Sequence, residues 1–256
     1  MIIAAVFAVV GSASAQHTLA ITAGAGMTTG RLYPDQEMRP IWGVVTTGVS
    51  WRHYTPERFV GGFGIDLEYM QRGFSYSPDA YRYDDEKYYH YYTRKVNSLV
   101  LPIMWQPHVY LFKKHFRFYL EAGVTLTFNL NSTYDNELTG VSGKYKFKSV
   151  RDNWMEYGLA GGAGFDILVR QIEFGFRARY YFGFSDLLRN RNKYYNNATD
   201  DPSENPFYLT PLRSPIDNLM ITFRIGFRFN KAGFDEWFVK RPRREKNKEV
   251  FKFSLD

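Results

Sequence analysis

Leu219-Met220-Ile221-Thr222-Phe223-Arg224-Ile225-Gly226-Phe227-Arg228-Phe229 is the stretch that decides the fold. In an extended strand successive side chains point to opposite faces. Leu219, Ile221, Phe223, Ile225, Phe227 and Phe229 therefore share one face, and Met220, Thr222, Arg224, Gly226 and Arg228 share the other. A soluble sandwich could bury the apolar face. About ten residues of apolar-out, polar-in alternation is equally what a tilted strand needs to cross a bilayer.

The pattern recurs along the chain. Ile172, Phe174, Phe176, Ala178, Tyr180 and Phe182 oppose Glu173, Gly175, Arg177, Arg179, Tyr181 and Gly183. Leu120, Ala122, Val124, Leu126, Phe128 and Leu130 oppose Tyr119, Glu121, Gly123, Thr125, Thr127 and Asn129. Further strands are expected from Leu19 to Met27, from Val45 to Arg52, from Phe59 to Arg72, from Val96 to Gln106 and from Met155 to Ile167. In the fourth of these eight, Pro102 has no N–H to give a ladder and predicts a bulge or local break.

The segments between strands alternate in length. Thr29 to Ile41, Phe74 to Lys95, Asn131 to Asn153 and Ser185 to Asp217 read as long polar loops. Thr55-Pro56-Glu57-Arg58, the connector Pro107 to Phe116, and Val169-Arg170-Gln171 are the shorter connections between them. Long loops outside and tight periplasmic turns are the rhythm of an outer-membrane barrel. The fold expected is all-β: an eight-stranded antiparallel up-and-down transmembrane β-barrel with both ends periplasmic.

Composition agrees with that architecture. Of 256 residues, 18% are aromatic, whereas the mean hydropathy is negative. No internal run reaches the roughly 18 apolar residues of a spanning helix, a test that barrels escape because every second residue faces the lumen. The absence of cysteine removes disulfides, thiolate catalysis and Cys-based zinc sites. Residues 1–15 read as a signal peptide, with the apolar core Ile2 to Val10 and the A-x-A site Ala13-Ser14-Ala15. A buried N-terminal strand is the other reading of that segment. Residues 16–229 form the barrel, and residues 230–256 a basic periplasmic tail. The tail's run from Lys240 to Lys248 is a disordered segment, or one that touches a partner or anionic headgroups.

Eight strands enclose a lumen that side chains can fill. Its inward face carries Arg52, Arg72, Arg177, Arg179, Arg224 and Arg228 together with Asp66, Glu68, Glu121, Glu156, Asp166 and Glu173. Glycines on the same face, Gly64 and Gly175 among them, leave room for long side chains. Charges of both signs in a narrow core form a salt-bridged plug, or alternatively a proton or ion path.

The residues that could carry enzymatic chemistry are His17, His53, His90, His108 and His115 with their acidic and hydroxyl neighbours. Ser50 and His53 point to opposite faces of their strand, so they cannot form a nucleophile–base pair. His90 with Asp84, Asp85 and Glu86, and the cluster Asp200, Asp201 and Glu204, lie in loops without a fixed geometry or an EF-hand pattern. His108 and His115 lack metal-ligand spacing. No catalytic residue, metal or cofactor is therefore expected. The expected partners are outer-membrane lipid, and proteins met through the extracellular loops or the periplasmic tail. An exported protein does not meet nucleic acid, although charge alone would permit binding.

With these elements in place, the chain resembles the PorT-like outer-membrane β-barrel family of Bacteroidota, of the porin-family outer-membrane barrels. The resemblance rests on Ser98 to Ile103, Phe118 to Val124, Tyr157 to Asp166 and Phe223 to Phe229. It implies the barrel fold, a bacterial outer-membrane location, and a non-enzymatic structural or accessory role of the type IX secretion kind. It brings no catalytic residues. The alternatives are a small-solute channel and a lipid- or peptide-processing barrel enzyme.

Overall fold

The computed structural model describes residues 16–33, 37–54, 61–77, 80–83, 86–112, 115–137, 139–149, 152–189 and 212–229. All regular structure among them is strand. In chain order the strands are β1 (Gln16–Gly30), β2 (Glu37–Met38), β3 (Ile41–Tyr54), β4 (Gly62–Ser77), β5 (Ala80–Tyr83), β6 (Glu86–Tyr89), β7 (Tyr92–Gln106), β8 (His108–Leu111), β9 (Phe116–Asn136), β10 (Val141–Tyr145), β11 (Met155–Val169), β12 (Ile172–Gly183) and β13 (Ile216–Phe229).

Eight of them close a barrel. β1 pairs with β3, then β4, β7, β9, β11, β12 and β13 follow, and β13 returns to β1, with every neighbour antiparallel. The closing seam runs from His17 opposite Phe229 to Gly30 opposite Ile216. Both barrel ends thus lie at the end that carries the short turns. Closure removes the free strand edges that lipid cannot hydrate. Each strand exposes its apolar set outward, Ile221, Phe223, Ile225 and Phe227 on β13 for example, and buries the alternate set. Exposed aromatics flank this belt, with Trp105 and Phe229 towards the short turns and Trp42 and Tyr157 towards the long connections, as interfacial girdles do.

The close approach of β1 to β13 makes glycine a steric requirement at the seam. A Cβ on Gly24 of β1 would lie 2.0 Å from the Ile221 carbonyl oxygen and 2.7 Å from Thr222 Cα. Gly24→Val must therefore part β1 from β13, and overpacking of this kind costs about 1 to 3 kcal/mol. The expected outcome is a lower guanidinium midpoint for the folded barrel in detergent. An unchanged midpoint would show that the seam yields without cost.

The strands run further than the sequence pattern indicates. Phe74 to Ser77 and Tyr92 to Lys95 belong to β4 and β7 and not to a loop; Phe74, Tyr76 and Tyr92 are buried. β9 continues through Asn131 to Asn136 and turns back as β10, so the segment Asn131 to Asn153 begins as a hairpin. Within the expected connector Pro107 to Phe116, His108–Leu111 forms β8 and pairs with the start of β9. Ile216 and Asp217 open β13 instead of closing a loop. At Pro102 the ladder to β4 skips residues 101 and 102 but keeps its register, as a residue without an N–H requires. The register shift lies elsewhere, at Asn97/Ser98 against β9.

The physical reason for these extensions is a change of solvent. Above the belt, outward positions such as Asn97, Lys95, Asn131, Thr133 and Asp135 are polar. Inward positions become apolar: Leu32, Phe74, Tyr76, Tyr92, Val96, Tyr134, Tyr145, Leu187 and Ile216 pack as one core. The wall thus rises past the membrane as a half-wet sheet. At its rim the Tyr91 amide donates to Glu137 at 2.9 Å and Arg39 Nη2 donates at 2.6 Å. Burial opposes ionisation of Glu137, but these two donors outweigh it and hold the carboxyl below its ordinary range.

Residues 1–15, 55–60 and 230–256 lie outside the described residues, and with them the signal-peptide reading, the expected turn Thr55 to Arg58 and the basic-tail reading.

Candidate functional site

The inward side chains fill the lumen in layers. All twelve residues of the sequence-derived charge cluster are buried, and the structure joins most of them, with one addition, into a network between the belt's middle and the short turns. Asp66 on β4 is its centre. Arg52 of β3 forks both carboxylate oxygens, its Nη2 donating to Oδ2 at 2.8 Å. Across the lumen, Arg177 and Arg179 of β12 donate to the same Oδ2 at 3.1 and 2.9 Å. Arg179 also grips Glu121 of β9 bidentately, at 2.5 and 2.8 Å, and reaches Glu68 at 3.2 Å. Arg177 donates to Glu68 at 2.8 Å, and the Tyr181 hydroxyl occupies the other Glu68 oxygen.

A second node lies beside it. Arg117 of β9 donates to Asp166 at 2.7 Å and to Glu173 at 2.6 Å, and Arg224 of β13 joins the same two carboxylates at 2.7 and 3.1 Å. Thr18 donates to Glu173 at 3.3 Å. Arg228 stands at the edge: its Nε is 3.8 Å from Glu173, and its guanidinium donates to the carbonyl of Arg170. That residue turns the chain between β11 and β12 with φ +53°. The main-chain N–H of Arg228 caps the same turn on Gln171 at 2.8 Å. Arg228 is therefore chiefly the clasp of the turn.

Space for these side chains comes from glycine. A Cβ on Gly64 would sit 2.3 Å from Arg52 Cδ, and one on Gly175 2.3 Å from Asp166 Oδ1. Above the network lies an apolar layer of Val44, Met70, Val100, Met104, Ala160 and Met220, with Ile41 and Tyr181. Arg72 and Glu156 pair there at 3.2 Å, and Asn129 donates to Glu156 at 2.6 Å. Glu156 is thus neutralised by Arg72 and not by the arginines of β12 or β13. Beside this pair a cavity of about 10 Å³ remains, lined by Arg72, Thr125, Glu156 and Asn218 among others. It is the size of one water, and the Asn218 amide, buried without a protein partner, lines it. At the top, Arg94 pairs with Asp152 at 2.9 Å and lies 3.6 Å over the Tyr145 ring.

Arg117, which joins the network, and the separate pair Arg94–Asp152 are buried charges absent from the cluster expected from the sequence. Arg117 continues the inward series Tyr119, Glu121 by one step, so extending the alternation towards Phe116 would have found it. Arg94 and Asp152 sit in stretches read as loops.

His17 and His53 face each other across β1 and β3, and the other described histidines lie apart from them. Ser50 is buried in the lumen, whereas His53 stands in the outer-face row with Phe63 opposite it. His108 packs edge-on to Tyr54 at 5.1 Å, and His115 contacts the Phe112 carbonyl at 2.8 Å. Asp84, Asp85, Asp200, Asp201 and Glu204 fall outside the described residues, and Glu86 is described as backbone alone. Among the described residues no three His, Asp or Glu side chains converge as a metal site.

A closed barrel with an apolar outer belt and a lumen filled by paired charges defines a transmembrane protein of the bacterial outer membrane. Residues 13–189 match the model of the outer membrane protein beta-barrel domain, and the chain belongs to that family. No curated protein matches it. Among solved structures it is similar to Neisserial surface protein A, at 12% identity over 82% of this chain and 97% of that one, with a TM-score of 0.39. It is also similar to a major outer membrane protein of Thermus thermophilus, at 12% identity over 83% and 99% of the two chains, with a TM-score of 0.41. A third is the attachment invasion locus protein Ail of Yersinia pestis, at 11% identity over 83% and 99%, with a TM-score of 0.34.

Proposed function

We propose that this protein is a non-enzymatic outer-membrane scaffold, a structural or accessory subunit of an envelope assembly of the type IX-like protein-secretion kind. The resemblance to PorT-like barrels motivates the assembly, and the filled lumen carries the rest of the reading. Asp66 alone is held by three guanidiniums from β3 and β12, and the cavity beside Arg72 and Glu156 is about 10 Å³. A lumen tied across its width in this way offers no path to a hydrated solute. What the protein presents to partners is then its outside, above all the sheet that rises past the belt.

The test has two arms. Reconstituted in planar bilayers, the full chain is expected to give no stable conductance steps; steady steps would overturn the reading in favour of a small-solute channel. Extracted natively in mild detergent, it is expected to migrate with other envelope proteins. A barrel that migrates alone and releases acyl chains or peptides from envelope substrates would be the enzyme.

A further inference from the structure

We propose that His17 and His53 form a two-histidine site for a divalent transition-metal ion in the outer-face row, at the short-turn end of the barrel. The two residues stand directly opposite each other on β1 and β3. His17 is half-buried and His53 buried. Their row across four strands reads Phe229, His17, His53, Phe63, so two imidazoles replace aromatic rings in an otherwise apolar girdle. An interfacial aromatic position explains a flat, amphipathic ring. It does not explain why two facing rings turn the same nitrogen towards each other.

The two Nδ1 atoms are 3.4 Å apart, with ring centroids at 4.7 Å. At that distance one ring's Nδ1–H donates to the other ring's Nδ1. Two nitrogens each about 2.0 to 2.1 Å from a tetrahedral metal are separated by about 3.3 to 3.4 Å. The same spacing fits the bite of a bis-imidazole chelate, in which a metal ion takes the place of the shared proton. Trp51, on the same outer face, stacks against both rings, at 5.7 Å from His17 and 6.3 Å from His53, which restrains the ring planes that a chelate requires.

The donor set selects the ion. Imidazole nitrogens suit Zn²⁺, Ni²⁺ and Cu²⁺, whereas Mg²⁺ and Ca²⁺ want oxygen ligands. Two protein ligands leave the remaining positions to water. The ion would tie the first residues of β1 to the last residues of β3, beside the seam where β13 closes the barrel.

The test uses the untagged full chain refolded in detergent, titrated calorimetrically with Zn²⁺, Ni²⁺ and Cu²⁺. One saturable site is expected, together with a metal-dependent rise in the temperature at which the compact gel form is lost, reversed by chelator. His17→Phe and His53→Phe continue the aromatic row, and each is expected to abolish saturable binding while the metal-free compact form persists. His17→Gln repeats the loss without adding bulk, should a Phe variant fold poorly, and His115→Ala keeps the binding. Absence of a saturable site in the parent, or its survival in the double Phe variant, overturns the proposal.

Discussion

Arg179→Met is expected to destabilise the barrel by about 3 to 5 kcal/mol, the range for removing one partner of a buried ion pair. Arg179 is fully buried and contacts Glu121, Asp66 and Glu68 at once. Methionine fills much of the volume but leaves Glu121 with Arg177, whose Nε is 3.9 Å away, as its nearest cation. Arg224→Met should do less, because Asp166 and Glu173 both keep Arg117. Arg243→Met in the tail should do nothing. The measurement is the temperature at which each variant loses its compact gel mobility, backed by guanidinium titration of the barrel in vesicles. If Arg179→Met melts with Arg243→Met, the lumen is wet, its charges are screened, and the channel reading gains.

Val124→Arg is expected to cost about 2 to 4 kcal/mol from the opposite side of the same wall. Val124 faces outward in the row of Ile103, Val124, Leu159 and Phe182, midway along the belt portion of β9. An arginine there must shed its water or drag water into the hydrocarbon. Val124→Leu is the control and should be neutral. In a folding titration into vesicles the penalty should shrink as the bilayer is made thinner. A penalty indifferent to thickness would mean that the belt is not centred where the exposed apolar rows place it.

Membership of the belt is readable because lipid outside and polar atoms inside impose one phase on every strand, from Leu120 to Leu130 and again from Ile172 to Phe182. Above the belt the outside turns to water and the phase inverts. Thr93, Lys95 and Asn97 then face out while Tyr92 and Val96 face in, and a search for the belt's phase stops at the inversion. The register shift at Asn97/Ser98 falls at this boundary. That is why the upper ends of β4, β7 and β9 read as loops.

The charge cluster divides in the same way. Parity assigns Arg177 and Glu156 to the inward face, but it cannot say that Glu156 meets Arg72 while Arg177 meets Asp66 and Glu68. Those choices depend on the stagger of strands around the closed barrel and on side chains that reach across it. Arg117 escapes for a simpler reason: the apolar alternation starts its strand at Leu120, three residues late.

Ion pairs that cross the lumen constrain the order of events when the chain enters the membrane. The hydrogen bonds from Arg177 and Arg179 to Asp66 join residues 111 and 113 positions apart, whereas most strand pairs are hairpins between neighbours in the chain. A sheet assembled only from β1 to β9 would carry Asp66, Glu68 and Glu121 before the guanidiniums of β12 arrive, with Arg52 and Arg117 the counter-charges at that end. Such a half-built sheet could not enter hydrocarbon without water around its carboxylates, and contacts of long sequence separation form late. Insertion and closure should therefore be coupled, with the nascent barrel expected to stay wet and open until its C-terminal strands dock.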